Sequence, residues 1–258
     1  MVNIVVTGAS GTVGKALLED LSPEHAVTSL SLREENGGVS MDRLVKRLRG
    51  VYGVVHAAWN TGLSNSGSNL GDDYNITMSY ALLEAANAAR VKKFIFVSTV
   101  HRQPFGRWPE IEKDHDESVM LPGKFYEQPR CTYGAEKILI EYRTEQAALL
   151  GDFYAVNVGL GGHHGHNKPP PNNWQSRVWL SRKDWVSMVR TFMLATPKQR
   201  GSYLYGTSAN EDPVVSTENC FGWEPMDCAP ADKERSAVPK SLTDLDALWS
   251  PTTNSQPL

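Results

Sequence analysis

A chain of 258 residues, 40% apolar and 21% charged, can bury a sizeable core as one large domain or two small ones. Its net charge of −3 excludes the basic footprint of a nucleic-acid or anionic-membrane partner, and no apolar run is long enough to span a bilayer. Three cysteines at scattered positions, Cys131, Cys220 and Cys228, argue against a disulfide framework and against a metal site; without a basic-then-apolar leader, the expected location is the cytoplasm.

Val2 to Val6 is a short β-branched run that predicts a first strand, stopping at the glycine-rich turn Thr7-Gly8-Ala9-Ser10-Gly11-Thr12-Val13-Gly14. Ala16, Leu17, Leu18 and Leu21 then predict a helix, and Val27 to Leu32 a second strand. Met41 to Leu48 reads as a helix with Leu44, Val45 and Leu48 on one face. A third strand starts at Gly53 and ends near Ala57 and Ala58. Tyr74 to Arg90 is an amphipathic helix, Phe94 to Val97 a strand, Tyr133 to Leu150 a long helix and Phe153 to Val158 another strand. Strand and helix alternate throughout, which predicts an α/β fold: a doubly wound parallel sheet of Rossmann type, with ligands beyond the carboxyl ends of the strands. Past Val158 the rhythm changes to a glycine-, histidine- and proline-rich loop over 159–173, then a helix from Trp185 to Leu194 and a strand at Tyr203 to Tyr205. The expected organisation is a dinucleotide-binding core over 1–158, a small substrate-binding portion over 159–228 that closes over the site, and a mobile tail over 229–258.

Two motifs carry chemistry. The Gly8, Gly11 and Gly14 turn lies between a predicted strand and a predicted helix, where glycines let the backbone approach a pyrophosphate and a helix N-terminus supplies N–H donors. Ser10, Thr12 and Val13 complete that cradle. The second motif is Tyr133 and Lys137, four residues apart and so on one helix face. A phenol is a poor proton carrier at neutral pH, but a nearby ammonium favours the phenolate, and the pair can then move a hydroxyl proton as hydride leaves carbon.

With an asparagine in the mid-chain helix and a Ser/Thr pair after a strand, these motifs resemble the extended short-chain dehydrogenase/reductase family, over Val2 to about Asp227. Phe96-Val97-Ser98-Thr99-Val100-His101, Pro171-Asn172-Asn173-Trp174, Trp179 to Asp184, Tyr205 to Asn210 and Phe221 to Pro225 narrow the likeness to uronate dehydrogenases and related haloarchaeal sugar-phosphate dehydrogenases. The resemblance implies Tyr133 as acid/base, Thr99 holding the substrate oxygen, Lys137 on the nicotinamide ribose, and Asn75 positioning Lys137 or the catalytic strand. It implies that Ala57, Ala58 and Trp59 pass under the cofactor, that Val97 and Val158 line it, and that Thr61 and His101 meet the substrate. Pairing of protomers through the Asn75 and Tyr133 helices, as a homodimer, is implied too.

The chain departs from the uronate pattern at two places. Val100 stands where those enzymes place an asparagine, and Gln175 where they place a carboxylate-clamping arginine, with Arg177 two residues on as the candidate to replace it; the resemblance puts Gln175 and Arg177 among the substrate-binding residues. His163, His164, His166 and Lys168 face either a phosphate or solvent. Arg33, at the end of the second strand, favours NADP over NAD; the alternative is a solvated Arg33 with Glu34 or Glu35 serving NAD. The expected function is oxidation of a small sugar-like alcohol or lactol to a lactone, the sugar being a uronate or another aldose, neutral or phosphorylated. The alternatives are a redox-neutral sugar epimerase or dehydratase and a non-catalytic NADP sensor.

Overall fold

The structure, a computed structural model, describes residues 1–32, 40–60, 73–102, 132–163, 165–170 and 174–231. Among these residues, six strands run in chain order: β1 (Asn3–Thr7), β2 (Ala26–Leu30), β3 (Gly53–His56), β4 (Lys93–Val97), β5 (Tyr154–Leu160) and β6 (Gly201–Gly206). They form one parallel sheet in the order β2-β1-β3-β4-β5-β6. Among the described residues, five α-helices lie between them: α1 (Thr12–Leu21), α2 (Met41–Leu48), α3 (Asp73–Ala88), α4 (Thr132–Leu150) and α5 (Arg182–Leu194).

Side chains alternate across a pleated strand, so consecutive residues feed opposite faces. Ile4, Val6, Val55, Ile95, Val97, Val156 and Val158 pack with α1 and α5 on one face. Val5, Val54, Phe94, Phe96 and Ala155 pack with α2, α3 and α4 on the other. Strands buried on both faces read as continuous apolar runs, as β3 and β4 do. The chain order reverses direction at β1, which puts the topological switch point between the carboxyl ends of β1 and β3.

Several boundaries differ from the sequence reading. β2 stops at Leu30 because its partner β1 stops at Thr7, directly opposite. α5 begins at Arg182 because the Ser181 hydroxyl caps it, accepting from the Asp184 N–H at 2.9 Å. The expected division at Val158 does not coincide with a break in the sheet: β5 runs to Leu160, and β6, from within 159–228, hydrogen-bonds along it. Nor is the chain loose from residue 229. Ala229 is buried, its N–H donates to Asn210 Oδ1 at 3.1 Å, and Ala231 N–H donates to Glu211 at 2.8 Å. The rest of the expected tail, 232–258, lies outside the described residues.

A buried carboxylate closes this end of the fold. Asp184, in the first turn of α5, accepts from the backbone N–H of Met226 (2.8 Å) and Asp227 (3.0 Å) and from the Ser208 hydroxyl (2.6 Å). Every partner is a neutral donor, as a buried carboxylate requires when no cation reaches it.

Candidate active site

The glycine turn sits at the switch point. Gly8 has φ +68°, and a Cβ there would lie 2.6 Å from the Ala57 carbonyl carbon and the Ala58 nitrogen. A Cβ on Gly14 would lie 2.4 Å from the Gly8 oxygen, so only glycine lets α1 start this close to the turn. Gly11 caps α1 with no side-chain hydrogen bond, and Ser10 and Thr12 are exposed beside the helix N-terminus. Val13 gives its carbonyl to the Trp185 indole N–H at 3.0 Å, which fixes α5 against this end of α1. The cleft next to the turn has a volume of about 560 Å³ and is lined by Gly8, Ser10, Leu30, Ser31, Ala58, Trp59 and Asn75, among others. Backbone that only glycine permits, an uncapped helix N-terminus and an adjoining cleft fit a dinucleotide.

Behind the cleft, a chain of hydrogen bonds can be traced donor by donor. Ser79 donates to the Asn75 carbonyl at 2.7 Å, so the 2.9 Å contact between Ser79 Oγ and His56 Nε2 has the histidine as donor. His56 Nδ1 is then the acceptor from the Thr7 hydroxyl at 2.8 Å, and Thr7 Oγ1 accepts from the Ala58 N–H at 3.2 Å. Burial, reinforced by the Lys137 charge, lowers the His56 pKa to about 3, so the ring is neutral. Asn75 continues the chain: its Oδ1 accepts from the Asn60 N–H at 2.8 Å and its Nδ2 donates to the Asn60 carbonyl at 3.0 Å. Asn75 is fully buried, which rules out a surface amide. Its side chain holds the loop after β3, where the expectation had it positioning Lys137 or the catalytic strand.

The chemical residues meet where β3, β4 and α4 converge. Lys137 is buried, its Nζ donates to the Val97 carbonyl at 2.7 Å, and it lies 3.8 Å from the Trp59 ring centroid. Burial lowers its pKa to about 7, against the pull of Glu141 and Glu136. The Tyr133 ring stands edge-on to Trp59, with centroids 6.2 Å apart, and to His101, 5.8 Å apart. Thr99 is buried at the end of β4 and its Oγ1 accepts from the His101 N–H at 3.1 Å. Burial lowers the His101 pKa to about 4, so this ring is neutral as well. Ser98, the other hydroxyl of the pair, points away and donates to Glu141. Tyr133 thus stands beside Trp59 and His101, and Lys137 beside Trp59 and Val97, with Thr99 bonded to His101.

Other expected residues fall elsewhere. Val158 packs in the core, and its carbonyl accepts from the Ser98 N–H at 2.8 Å. Gln175 and Arg177 lie in the 3₁₀ turn Trp174–Val178; Gln175 is buried, and Arg177 Nε is 3.1 Å from Asp212 Oδ2. His163 Nδ1 meets the Leu180 carbonyl at 3.2 Å, and His166 Nδ1 accepts from the Lys168 N–H at 3.2 Å. Gly165, in the same loop, lies beside Thr12. Arg33, Glu34, Glu35, Thr61, Cys131 and His164 lie outside the described residues.

Sequence reasoning missed His56, Ser79, Arg43, Arg102 and Glu141. Only His56 carried a usable signal, a titratable residue ending an otherwise apolar strand. Arg43, on α2, reaches the Ser31 carbonyl at 3.4 Å, beside the end of β2. Among the described residues, no helix is long and apolar enough to cross a membrane and no cluster of His, Cys, Asp and Glu could hold a metal ion.

The model of the NAD dependent epimerase/dehydratase family matches residues 4–182. An L-arabinose 1-dehydrogenase (NAD(P)(+)) of Haloferax volcanii is 31% identical over 88% of this chain and 97% of its own. A uronate dehydrogenase of Agrobacterium fabrum is 24% identical over 90% of this chain and 87% of its own. Among solved structures, a glucuronic acid dehydrogenase from Chromohalobacter salexigens superposes with a TM-score of 0.69 at 19% identity, covering 89% and 86% of the two chains. A uronate dehydrogenase from Agrobacterium tumefaciens, complexed with NAD, superposes with a TM-score of 0.67 at 20% identity, covering 89% and 86%. The chain belongs to the NAD dependent epimerase/dehydratase family, on a Rossmann fold.

Proposed function

We propose that the protein is an NAD(P)-dependent sugar dehydrogenase that oxidises the anomeric hydroxyl of a small neutral aldose to a lactone. The observation that carries this reading is the buried Lys137 ammonium, held against Trp59 and one helical turn from Tyr133, beside the mouth of the dinucleotide cleft.

The bound nicotinamide supplies the hydride acceptor. Gly8 and the 10–14 turn hold its pyrophosphate, Ser31 and Arg33 its adenosine end, Ala57 to Trp59 its underside, and Lys137 its nicotinamide ribose. Thr99 Oγ1 already accepts from the His101 N–H, which leaves the Thr99 hydroxyl proton for the substrate oxygen. Tyr133 takes the hydroxyl proton as the C–H bond breaks, and the Lys137 charge stabilises the phenolate that makes this possible. His101, neutral and edge-on to Tyr133, walls the sugar side.

The neutral substrate follows from what a carboxylate would find. Arg177 is engaged by Asp212, and Val100 is buried and apolar. At these two described positions a uronate carboxylate would meet no unengaged cation, and a charge buried without a partner costs several kcal/mol. The haloarchaeal relative is named for L-arabinose. NADP is favoured over NAD on Arg33, which follows the second strand in sequence, and a homodimer through α3 and α4 on the exposed Leu139 and Tyr142 of α4.

The test is a screen of L-arabinose, glucose, glucose 6-phosphate, galacturonate and glucuronate with both cofactors, following reduced nicotinamide, repeated on Arg177→Ala. A neutral aldose should win in kcat/KM by at least about tenfold. A uronate preference that survives loss of Arg177 overturns the substrate. Isomerised sugar without net reduced nicotinamide makes the protein an epimerase.

A further inference from the structure

Beneath the catalytic residues lies an ion pair that the chemistry above does not use. Glu141 follows Tyr133 and Lys137 at the same four-residue interval on α4, so the three share a face. One Glu141 oxygen accepts from the Ser98 hydroxyl; the other is 3.0 Å from Arg102 Nη2. Both charged side chains are almost wholly buried, at 1% and 4% exposure. The Arg102 guanidinium stacks 4.0 Å from the Tyr203 ring centroid, and the Glu141 carbonyl accepts from Asn157 Nδ2 at 3.0 Å. Glu141 therefore ties α4 to β5, to the end of β4 and to the 3₁₀ turn Val100–Arg102.

A buried ion pair is a poor source of stability, because desolvating both charges offsets most of their attraction. What this pair does have is a location. Ser98 and Arg102 bracket Thr99, and the Arg102 N–H lies 3.5 Å from the Thr99 carbonyl. A carboxylate that grips both flanks of Thr99 from the helix carrying Tyr133 fixes the distance between the two groups that must meet one substrate oxygen.

We propose that Glu141 is a positioning residue of the reaction, which through Ser98 and Arg102 holds the Thr99 turn against the Tyr133 and Lys137 face of α4. The inference rests on the dehydrogenase reading for its kinetics but not for its structural readout. Among the described residues, Lys137 on α4 and Tyr203 on β6 face the pair, with Glu136 acting on Lys137 and Tyr205 on Tyr203. β4 and β5 bring the neutral Ser98 and Asn157, and His56 faces Lys137 from β3.

Three variants test it on the full-length protein with cofactor bound: Ser98→Ala, Glu141→Gln, and Arg102→Met with Glu141→Gln, which removes both charges together. Amide hydrogen exchange over residues 98–102 needs no substrate. It should speed up by about tenfold or more in the double variant while α4 keeps its protection. With the best aldose, kcat should fall by about tenfold to a hundredfold in Glu141→Gln with KM changed less than about threefold, the signature of misplaced reacting groups. The double variant should recover the melting temperature but not kcat, and Ser98→Ala should lower kcat by about threefold or more while lowering the melting temperature no further than Glu141→Gln does. A double variant with unaltered exchange over 98–102, or with kcat within about twofold of the parent, overturns the proposal. So does Ser98→Ala with full kcat, whatever becomes of Glu141→Gln. If no sugar is oxidised, the sugar dehydrogenase reading fails, and the exchange result still decides this one.

Discussion

Asn75 satisfies both backbone polar groups of Asn60 at once, accepting from its N–H at 2.8 Å and donating to its carbonyl at 3.0 Å. A side-chain amide carries both functions at this spacing, whereas an ionised carboxylate can only accept. Asn75→Asp should therefore be worse than a simple loss of one bond, because a carboxylate then faces the Asn60 carbonyl. Stability should fall by about 1–3 kcal/mol, and cofactor affinity should drop with it, since the loop so held lines the nucleotide cleft. Urea unfolding and a cofactor titration check this pair of effects.

Tyr133→Phe removes one oxygen and leaves the ring that packs on Trp59 and His101. Turnover should fall by about a hundredfold to ten-thousandfold while cofactor affinity stays within about twofold. A variant that keeps more than about a tenth of the parent rate assigns the proton transfer to another group.

Cofactor choice is expected to divide between two arginines. Arg33→Ala should raise the KM for NADP much more than for NAD, because only NADP carries a 2′-phosphate. Arg43, whose guanidinium reaches the Ser31 carbonyl, should show the same preference in weaker form. Equal losses with both cofactors, measured by initial rates, would remove either residue from this role.

Acid should destabilise the protein through His56. The pKa is about 3 when folded against 6.5 for the free side chain, so the native state binds fewer protons than the unfolded chain between those values. Stability on this account is whole above pH 6.5 and is lost as pH falls towards 3. His101, lowered to about 4, adds in the same direction. His56→Gln should cost about 1–3 kcal/mol at neutral pH but flatten the decline below pH 6.5, read from urea midpoints across pH.

The layered fold was legible because its signal is local. Runs such as Val54 to His56 and Phe94 to Val97 declare buried parallel strands without reference to anything distant. The glycine turn was legible from its own spacing between a strand and a helix, although the contacts that require Gly8 come from Ala57 and Ala58, beyond β3. The end of β2 was not, because the register with Thr7 decides it. Asn75 was found by resemblance, yet its partner depended on the path of the loop through Asn60. Glu141 reads in sequence as one more charge on a long helix; nothing nearby says that Ser98 and Arg102 wait for it in the interior. Arg177 looked available for a substrate, and Asp212, thirty-five residues on, takes it.

The three donors to Asp184 set an order on synthesis. The carboxylate belongs to the first turn of α5, but two of its partners, the N–H groups of Met226 and Asp227, are made some forty residues later. While the nascent chain ends short of them, α5 can dock on the sheet only by burying an acid two bonds short of its native set, at a cost of several kcal/mol. The helix therefore reaches its native set of bonds only once residue 227 is available, and the sheet face that α5 covers waits with it.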